Sequence, residues 1–129
     1  MQLLDKISLG FGRKIPTILQ TEATECGLAC IAMIAHFYGY ESDLLTLRRR
    51  FPVSQKGTNL NQLIKISNQL NMVTRPLKLD LEDLNQLKTP CILHWDFNHF
   101  VVLQEVSANK VTILDPAFGK RILTLNEVS

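Results

Sequence analysis

The sequence lacks the long apolar run and the excess of one charge that mark a membrane span or a nucleic-acid surface. Its longest apolar stretch, around Gly27 to Ala35, has about half the length that crosses a bilayer. Lysine and arginine number 14 against 12 acidic residues, and only Arg48 to Arg50 form a basic run, which we interpret as a solvated helix end. Nucleic-acid binding usually needs a concentrated basic surface, so it is not indicated.

Cysteine is scarce, and the three cysteines form an odd set that cannot all pair. A secretory signal is also missing, so a reducing, cytosolic setting fits best. Cys26 and Cys30 could bind a metal ion with one of the three histidines, His36, His94 or His99. No Cys-x-x-Cys or His-x-x-x-His pairing supports a zinc site or a thiol redox site, so we expect no metal and no other cofactor. Cys30 and Cys91 are interpreted as core thiols.

The chain has 129 residues, of which 46% are hydrophobic, so it can bury one core of its own. We expect an amino-terminal arm over residues 1–14 and a single domain over residues 15–129. The first half predicts helices: a buried one from Cys26 to Tyr38 that ends at Gly39, a second from Ser42-Asp43 to Arg49, and a third from Asn59.

The second half predicts a short helix or turn over Leu81 to Leu87 and several short strands. The expected strands are Met72–Leu79, Cys91–Trp95, Phe100–Val106, Val111–Leu114 and Arg121–Leu125. Turns are expected at residues 96–98 and 107–109, where Asp and Asn occur. Helices followed by a meandering antiparallel sheet indicate an α+β domain, with a helical amino-terminal half packed on the sheet.

Cys26 stands at the expected amino end of the buried helix, where backbone N–H groups and the macrodipole favour a thiolate. Glu25 suits the first turn of the same helix. A small core residue is the ordinary interpretation of such a cysteine, but Gly27 weakens it. Glycine is costly in a helix, so its presence suggests the close approach of another chain.

His99 and Asp115 stand at the ends of two apolar strands, at similar distances from the turn at residues 107–109. If these strands form a hairpin, an imidazole base and a carboxylate that orients it share one edge of the sheet. An ordinary Asp-Pro turn is the alternative interpretation of Asp115. Gln20, upstream of Cys26, could direct its side-chain N–H at a developing oxyanion, together with the Cys26 backbone N–H.

These motifs resemble the C39 peptidase domain of bacteriocin-exporting ABC transporters. The resemblance rests on QTEATECGLAC over residues 20–30, HFVVL over 99–103 and DPA over 115–117. LRR at 47–49 followed by Phe51, together with LKTPCILHWDF over 87–97, is similar to the colicin V exporter in particular.

The resemblance implies a papain-like fold in which Cys26 is the nucleophile, His99 the base, Asp115 the orienting carboxylate and Gln20 the oxyanion donor. It implies removal of a leader peptide after a Gly-Gly pair as an exporter moves its cargo. Substrate contacts are expected at Gly27, Trp95 and Phe97.

A domain of this kind is expected to be excised from a transporter at the cytoplasmic face of the bacterial inner membrane. Its partners would then be the leader peptide and the transmembrane and nucleotide-binding domains of the same transporter. The alternative is a degenerate, non-cleaving form that only holds the cargo of a toxin exporter. Such forms lack the nucleophile, and Cys26 is present.

Overall fold

The computed structural model describes residues 15–20, 24–40, 43–52, 57–74, 81–95 and 99–128, and the account below concerns these residues. The predicted arm over residues 1–14 lies outside them, and so does Phe97. Within these ranges no helix has both the length and the apolar character needed to cross a membrane.

Helix α1, Cys26–Phe37, is apolar nearly all round, and its first ten residues are buried. Such a helix must lie in the interior, because it has no polar face to turn to water. It ends as predicted: Gly39 adopts a φ of +96°, a left-handed conformation that favours glycine, and its N–H donates to the His36 carbonyl.

Two shorter helices pack beside α1, and each begins at a side-chain cap. In α2, Leu44–Arg50, the Asp43 carboxylate accepts from the Thr46 N–H at 2.8 Å. In α3, Leu60–Gln69, the Asn59 and Gln62 side chains each accept a hydrogen bond from the other's backbone N–H. Both caps satisfy N–H groups that a helix start leaves without a carbonyl partner, which explains why both helices begin where the sequence predicts.

A four-stranded antiparallel sheet follows a 3-10 helix, Leu81–Gln86, with the strands in the order of the chain. The strands are β1 Cys91–Trp95, β2 His99–Ser107, β3 Lys110–Asp115 and β4 Gly119–Thr124, and a short helix, α4 Leu125–Val128, closes the described chain. Two-residue and three-residue connections join β2 to β3 and β3 to β4, as expected for hairpins. The predicted α+β class, with the helices in the first half, is confirmed.

One predicted strand is wrong where it can be compared. Residues 72–74 form no strand, and residues 75–80 lie outside the described part. The Met72 N–H donates to the Ser67 carbonyl and so closes the end of α3, while Val73 is 91% exposed. The backbone here completes a helix terminus instead of joining a sheet. Among the other strands, β2 and β3 each extend one residue beyond the prediction at both ends, and β4 begins and ends earlier than predicted.

The sheet is buried on both faces at its centre. Phe100 and Val102 pack with the helices in one cluster, whereas Val101 and Leu103 belong to a second cluster with Leu84 of the 3-10 helix. Successive residues of a strand point to opposite faces, so a strand covered on both sides reads as a continuous apolar run. This arrangement places α1 directly against β2.

Candidate active site

Cys26 is the first residue of α1, and its burial leaves it 7% exposed. The first N–H groups of a helix lie outside its internal hydrogen-bond ladder and concentrate positive potential there. The predicted position of Cys26 at a helix start is therefore confirmed. The nucleophilic role of the Cys26 thiol stays a prediction.

Gly27 allows α1 to approach its neighbours closely. A β-carbon at this position would lie 3.0 Å from Leu63 Cδ1, 3.4 Å from Thr58 Cβ and 3.6 Å from Phe100 Cδ2. The close approach expected from glycine thus occurs. The neighbouring groups belong to the same protein: Leu63 of α3, Thr58 just before α3, and Phe100 of β2. A role of Gly27 in contacting substrate stays a prediction.

His99 and Asp115 meet at the edge of the sheet. His99 begins β2, Asp115 ends β3, and His99 Nε2 lies 2.8 Å from Asp115 Oδ1. The hairpin between these strands has its tip at Ala108 and Asn109, so the register brings the two strand ends together. Because Nε2 faces the carboxylate, Nδ1 is the nitrogen that remains to exchange a proton with another group.

The Asp115 carboxylate is buried and has further partners besides His99. Its Oδ1 also accepts from the Ala117 N–H at 2.9 Å, and Arg121 Nη1 lies 3.9 Å from Oδ2. The hydrogen bond to Ala117 is the Asp-Pro turn that the alternative interpretation described, so Asp115 both forms the turn and contacts the imidazole, and its orienting role stays a prediction. Sequence reasoning missed Arg121, since nothing in its spacing links it to the site.

Gln20 is fixed beside Asp115 by the backbone. Its N–H donates to the Pro116 carbonyl at 2.9 Å, which joins the extended segment of residues 15–20 to the turn after β3. A short extended segment upstream of Cys26 is thus brought next to the carboxylate end of the site. The predicted role of its amide as an oxyanion donor stays a prediction.

Cys30, one turn after Cys26, is a fully buried thiol. Burial raises its pKa well above the usual value, and negative charge on Cys26 and on Asp115 raises it further. These two electrostatic contributions indicate that the first turns of α1 and the end of β3 are close in space. Cys30 stays protonated at neutral pH and is a core thiol, as interpreted from the sequence.

Trp95 and Phe97 were expected to line the substrate cleft. Trp95 is the last residue of β1 and pairs with His99 in the sheet register, so its backbone is next to the imidazole. The placement of its side chain is not described, and Phe97 lies outside the described residues. Substrate contact by either residue stays a prediction.

The interpretation of the arginine run as a solvated helix end holds for Arg49 and Arg50, which are exposed in the last turn of α2, but not for Arg48. Arg48 forms an ion pair with Glu25, whose side chain is 3% exposed: Nε bonds to Oε2, and Nη2 bonds to Oε1 at 3.0 Å. Glu25 immediately precedes Cys26 and is the N-cap residue of α1, although its side chain does not cap the helix. Sequence reasoning placed Glu25 near the helix start but gave no partner for it.

An apolar cavity of about 260 Å³ opens between α1, α3 and β1. Ile34 of α1 and Tyr38, which follows this helix, line it together with Leu63 and Phe100, so the cavity lies at the carboxyl-terminal end of α1. His94 lies at its wall, stacked on Phe100 with the ring centroids 4.6 Å apart. This agrees with the interpretation of His94 as a structural side chain or cleft wall.

No group of three or more His, Cys, Asp or Glu side chains in the described ranges is arranged to hold a metal ion. The structure supplies a thiol at a helix start and, at the ends of two neighbouring strands, an imidazole hydrogen-bonded to a buried carboxylate. This set can supply a nucleophile, a proton acceptor and an orienting group for acyl transfer.

Comparison with known proteins agrees with this chemistry. A family model described as the Peptidase C39 family matches residues 14–129. The chain is 49% identical over 128 residues to the probable microcin-H47 secretion/processing ATP-binding protein of Escherichia coli. It is 48% identical over the same length to the colicin V secretion/processing ATP-binding protein of that organism. These alignments cover 99% of this chain but only 18% of each relative.

Two solved structures share the fold. One is a double glycine motif protease from an AMS/PCAT transporter in complex with the leader peptide, with a TM-score of 0.82 and 34% identity over 89% of this chain and 83% of that one. The other is the peptidase domain of Streptococcus ComA, a bi-functional ABC transporter of a quorum-sensing pathway. Its TM-score is 0.79 and its identity 24%, over 89% of this chain and 90% of that one. The extent of the family match and the identity to the relatives lead to one conclusion: the chain belongs to the peptidase C39 family of cysteine peptidases.

Proposed function

We propose that this chain is the cysteine peptidase domain of a bacterial ABC transporter, and that it removes a double-glycine leader peptide from a bacteriocin or microcin precursor. The observation that carries the proposal is the 2.8 Å contact between His99 Nε2 and Asp115 Oδ1 in a chain whose Cys26 begins a buried helix. The names of the relatives, which describe secretion and processing, support the same function.

In the proposed first step, His99 Nδ1 takes the proton of the Cys26 thiol. The resulting thiolate attacks the carbonyl carbon of the second glycine, and negative charge moves to the carbonyl oxygen. The Gln20 amide and the Cys26 backbone N–H are the proposed donors to this oxyanion. Asp115 holds the ring in the tautomer and orientation that this transfer requires, and it stabilises the imidazolium that forms.

In the second step the oxyanion collapses and the C–N bond after the second glycine breaks. The protonated His99 gives its proton to the departing amine, which becomes the amino terminus of the cargo. The leader remains on Cys26 as a thioester. Water then attacks the thioester with His99 again as base, which releases the leader with a free carboxylate and restores the thiol.

The apolar cavity is the proposed site for apolar side chains of the leader. It lies between the carboxyl-terminal end of α1, α3 and β1, and a structural neighbour of this chain is a complex with a leader peptide. The helical part of a leader would bind there while its glycine pair extends to Cys26 at the other end of α1. Glycines would be required if the cleft near the thiol has no room for a β-carbon.

The partners of the domain follow from the same comparison. The relatives are ATP-binding transport proteins of which the chain spans 18%, so the transmembrane and nucleotide-binding domains of the same transporter are the proposed partners. The proposed location is the cytoplasmic face of the inner membrane, where the precursor is available before export. We also propose that residues 15–129 form the peptidase domain and residues 1–14 an arm that precedes it.

The test is cleavage of a synthetic precursor with a double-glycine leader and a short cargo segment, followed by mass spectrometry. We expect the unmodified domain to cut after the second glycine and Cys26→Ala to bind but not cut. Cys30→Ala, a change of the same type one turn along α1, is the matched control and is expected to cut. Leu60→Ser, at the cavity wall, is expected to raise KM for the full leader and to leave kcat unchanged.

The rival function is a non-cleaving domain that holds cargo. Its signature would be retained binding of the leader, measured by calorimetry, with no cleavage by the unmodified domain. That result would overturn the peptidase proposal.

A further inference from the structure

The partly buried ion pair between Glu25 and Arg48 adjoins the proposed nucleophile in the chain and has no part in the mechanism above. Glu25 is adjacent to Cys26 in sequence, and Arg48 reaches it from a different helix, α2. The guanidinium meets both carboxylate oxygens through two of its nitrogens. This two-pronged geometry fixes both the position and the orientation of the carboxylate, which a single contact does not.

The Glu25 carboxylate is in an unusual place for a catalytic helix. Negative charge at a helix start is normally favourable, but here a negatively charged thiolate must form on the next residue. Negative charges on adjacent residues disfavour each other. The effect is stronger here because Glu25 is only 3% exposed, so water screens its charge poorly. An unpaired carboxylate at this site would oppose ionisation of Cys26.

We propose that Arg48 is a positioning residue for Cys26, which acts through Glu25. The pair ties the residue before the nucleophile to α2, and it cancels the negative charge of the neighbouring carboxylate so that the Cys26 thiolate can form. The inference rests on the proposed role of Cys26 as nucleophile. It adds a residue, Arg48, to which the mechanism above gives no step.

The other ionisable groups of the site must stay constant in the test. Asp115 of β3 raises the pKa of Cys30, one turn along α1 from Cys26, and it is in contact with His99 of β2 and Arg121 of β4. None of these groups changes in the variants below. Differences between variants therefore report the Glu25–Arg48 pair alone.

The measurement is the rate at which iodoacetamide alkylates Cys26 as a function of pH, with peptide mapping to identify the labelled thiol. It requires no leader peptide, so its result is independent of whether the domain cleaves the expected substrate. Burial raises the pKa of Cys91 to about 11 and that of Cys30 well above its usual value, so both react slowly near neutral pH. The midpoint of the alkylation profile then reports the ionisation of Cys26.

Arg48→Gln leaves the Glu25 charge uncompensated, so we expect its midpoint to rise by about one pH unit and alkylation below the midpoint to slow about tenfold. Glu25→Gln removes the carboxylate and keeps Arg48, so its midpoint is expected at or below that of the unmodified domain. The double variant should lie close to the unmodified domain. Arg48→Lys keeps the charge and should restore most of the shift seen in Arg48→Gln.

Arg49→Gln, with the same change of charge at an exposed neighbouring position, is the control and is expected to leave the midpoint unchanged. A purely structural role for the pair predicts that Arg48→Gln and Glu25→Gln move the midpoint in the same direction, because both variants remove the ion pair between Glu25 and Arg48. That outcome, or a midpoint in Arg48→Gln equal to that of the unmodified domain, would overturn the proposal. If Arg48→Gln does not fold, Glu25→Gln and the double variant still decide, since the proposal requires that neither midpoint rises.

Discussion

The helical half and the sheet half hold their parts of the site by different means. In the sheet, His99 and Asp115 belong to adjacent strands, and a direct hydrogen bond of 2.8 Å joins them. In the helical half, Cys26 is positioned by the packing of its neighbours in the chain. Gly27 allows α1 to pack closely on Leu63, and an ion pair links Glu25 to Arg48 of α2. The sheet positions its groups through register, whereas the helices position the thiol through packing.

This difference predicts how each half responds to change. A substitution at the sheet edge removes a chemical group without removing core, because the His99 side chain is 27% exposed. A substitution at the start of α1 disturbs side chains in the main core, so activity and stability change together. The predictions below test whether the two effects separate in this way.

The largest expected effect is loss of the base. His99→Gln keeps an amide that can still donate to Asp115, but it has no group that can take the thiol proton. We expect kcat/KM for the leader substrate to fall by about 10³-fold, while the free energy of unfolding in urea changes by about 1 kcal/mol or less. His36→Gln, at an exposed position on α1 that does not line the cavity, is the matched control and should be active. If the free energy of unfolding fell by as much as the activation free energy of cleavage rose, the distinction between the two halves would be lost.

An intermediate effect is expected where α1 is packed most closely. Gly27→Ala gains helix propensity but forces its β-carbon to within 3.0 Å of Leu63 Cδ1. We expect a net loss of about 1 kcal/mol in the free energy of unfolding, since strain from overpacking exceeds the gain. The leader-cleavage rate should fall in the same variant, because Cys26 moves with the first turn.

A double-mutant cycle with Leu63→Ala checks the cause of that loss. In the Leu63→Ala background the same glycine substitution should be neutral or stabilising, which corresponds to a coupling of about 1 kcal/mol between the two positions. Additive effects would show that Leu63 is not the side chain that opposes a β-carbon at position 27.

The features that the sequence predicts best occur in both halves of the chain. The apolar run bounded by turn residues predicted the observed bounds of β1. Counting from the turn at residues 107–109 predicted that His99 and Asp115 lie close together. The helix starts at Asp43 and Asn59 were predictable for the same reason, because a cap is a contact between residues three apart. All of these features depend on short-range or strictly periodic relations along the chain.

The features that sequence reasoning missed depend on packing between distant segments. Arg48 and Glu25 are 23 residues apart, and only the packing of α2 on α1 brings them together. Seen alone, an arginine in a run of three at a helix end indicates solvent exposure. The expected strand at Met72 failed for a related reason, since the end of α3 uses its backbone N–H and no periodic signal reports that use.

The smallest expected effect appears at alkaline pH and concerns one thiol in each half, Cys30 in α1 and Cys91 in β1. Burial raises the pKa of Cys91, at the start of β1, from its ordinary value of about 9 to about 11, and that of Cys30 in α1 also rises. Between these values the folded protein keeps protons that the unfolded chain has lost. The stability that each protonated thiol contributes is therefore complete below pH 9 and is lost as the pH rises toward 11.

We accordingly expect the free energy of unfolding to decline between pH 9 and pH 10.5, and Cys91→Ala and Cys30→Ala each to make that decline shallower. Cys91 is only partly buried, so solvent screening keeps its contribution under about 1 kcal/mol at pH 9.5. Cys30→Ala should make the decline shallower than Cys91→Ala does, because Cys30 is fully buried and Cys91 only partly. Urea titrations across this range measure the slopes. Equal slopes in the variants and the unmodified domain would mean that neither thiol is as shielded from water as its burial indicates. The contrast between a packed helical half and a more accessible sheet edge would then rest on His99 and Gly27 alone.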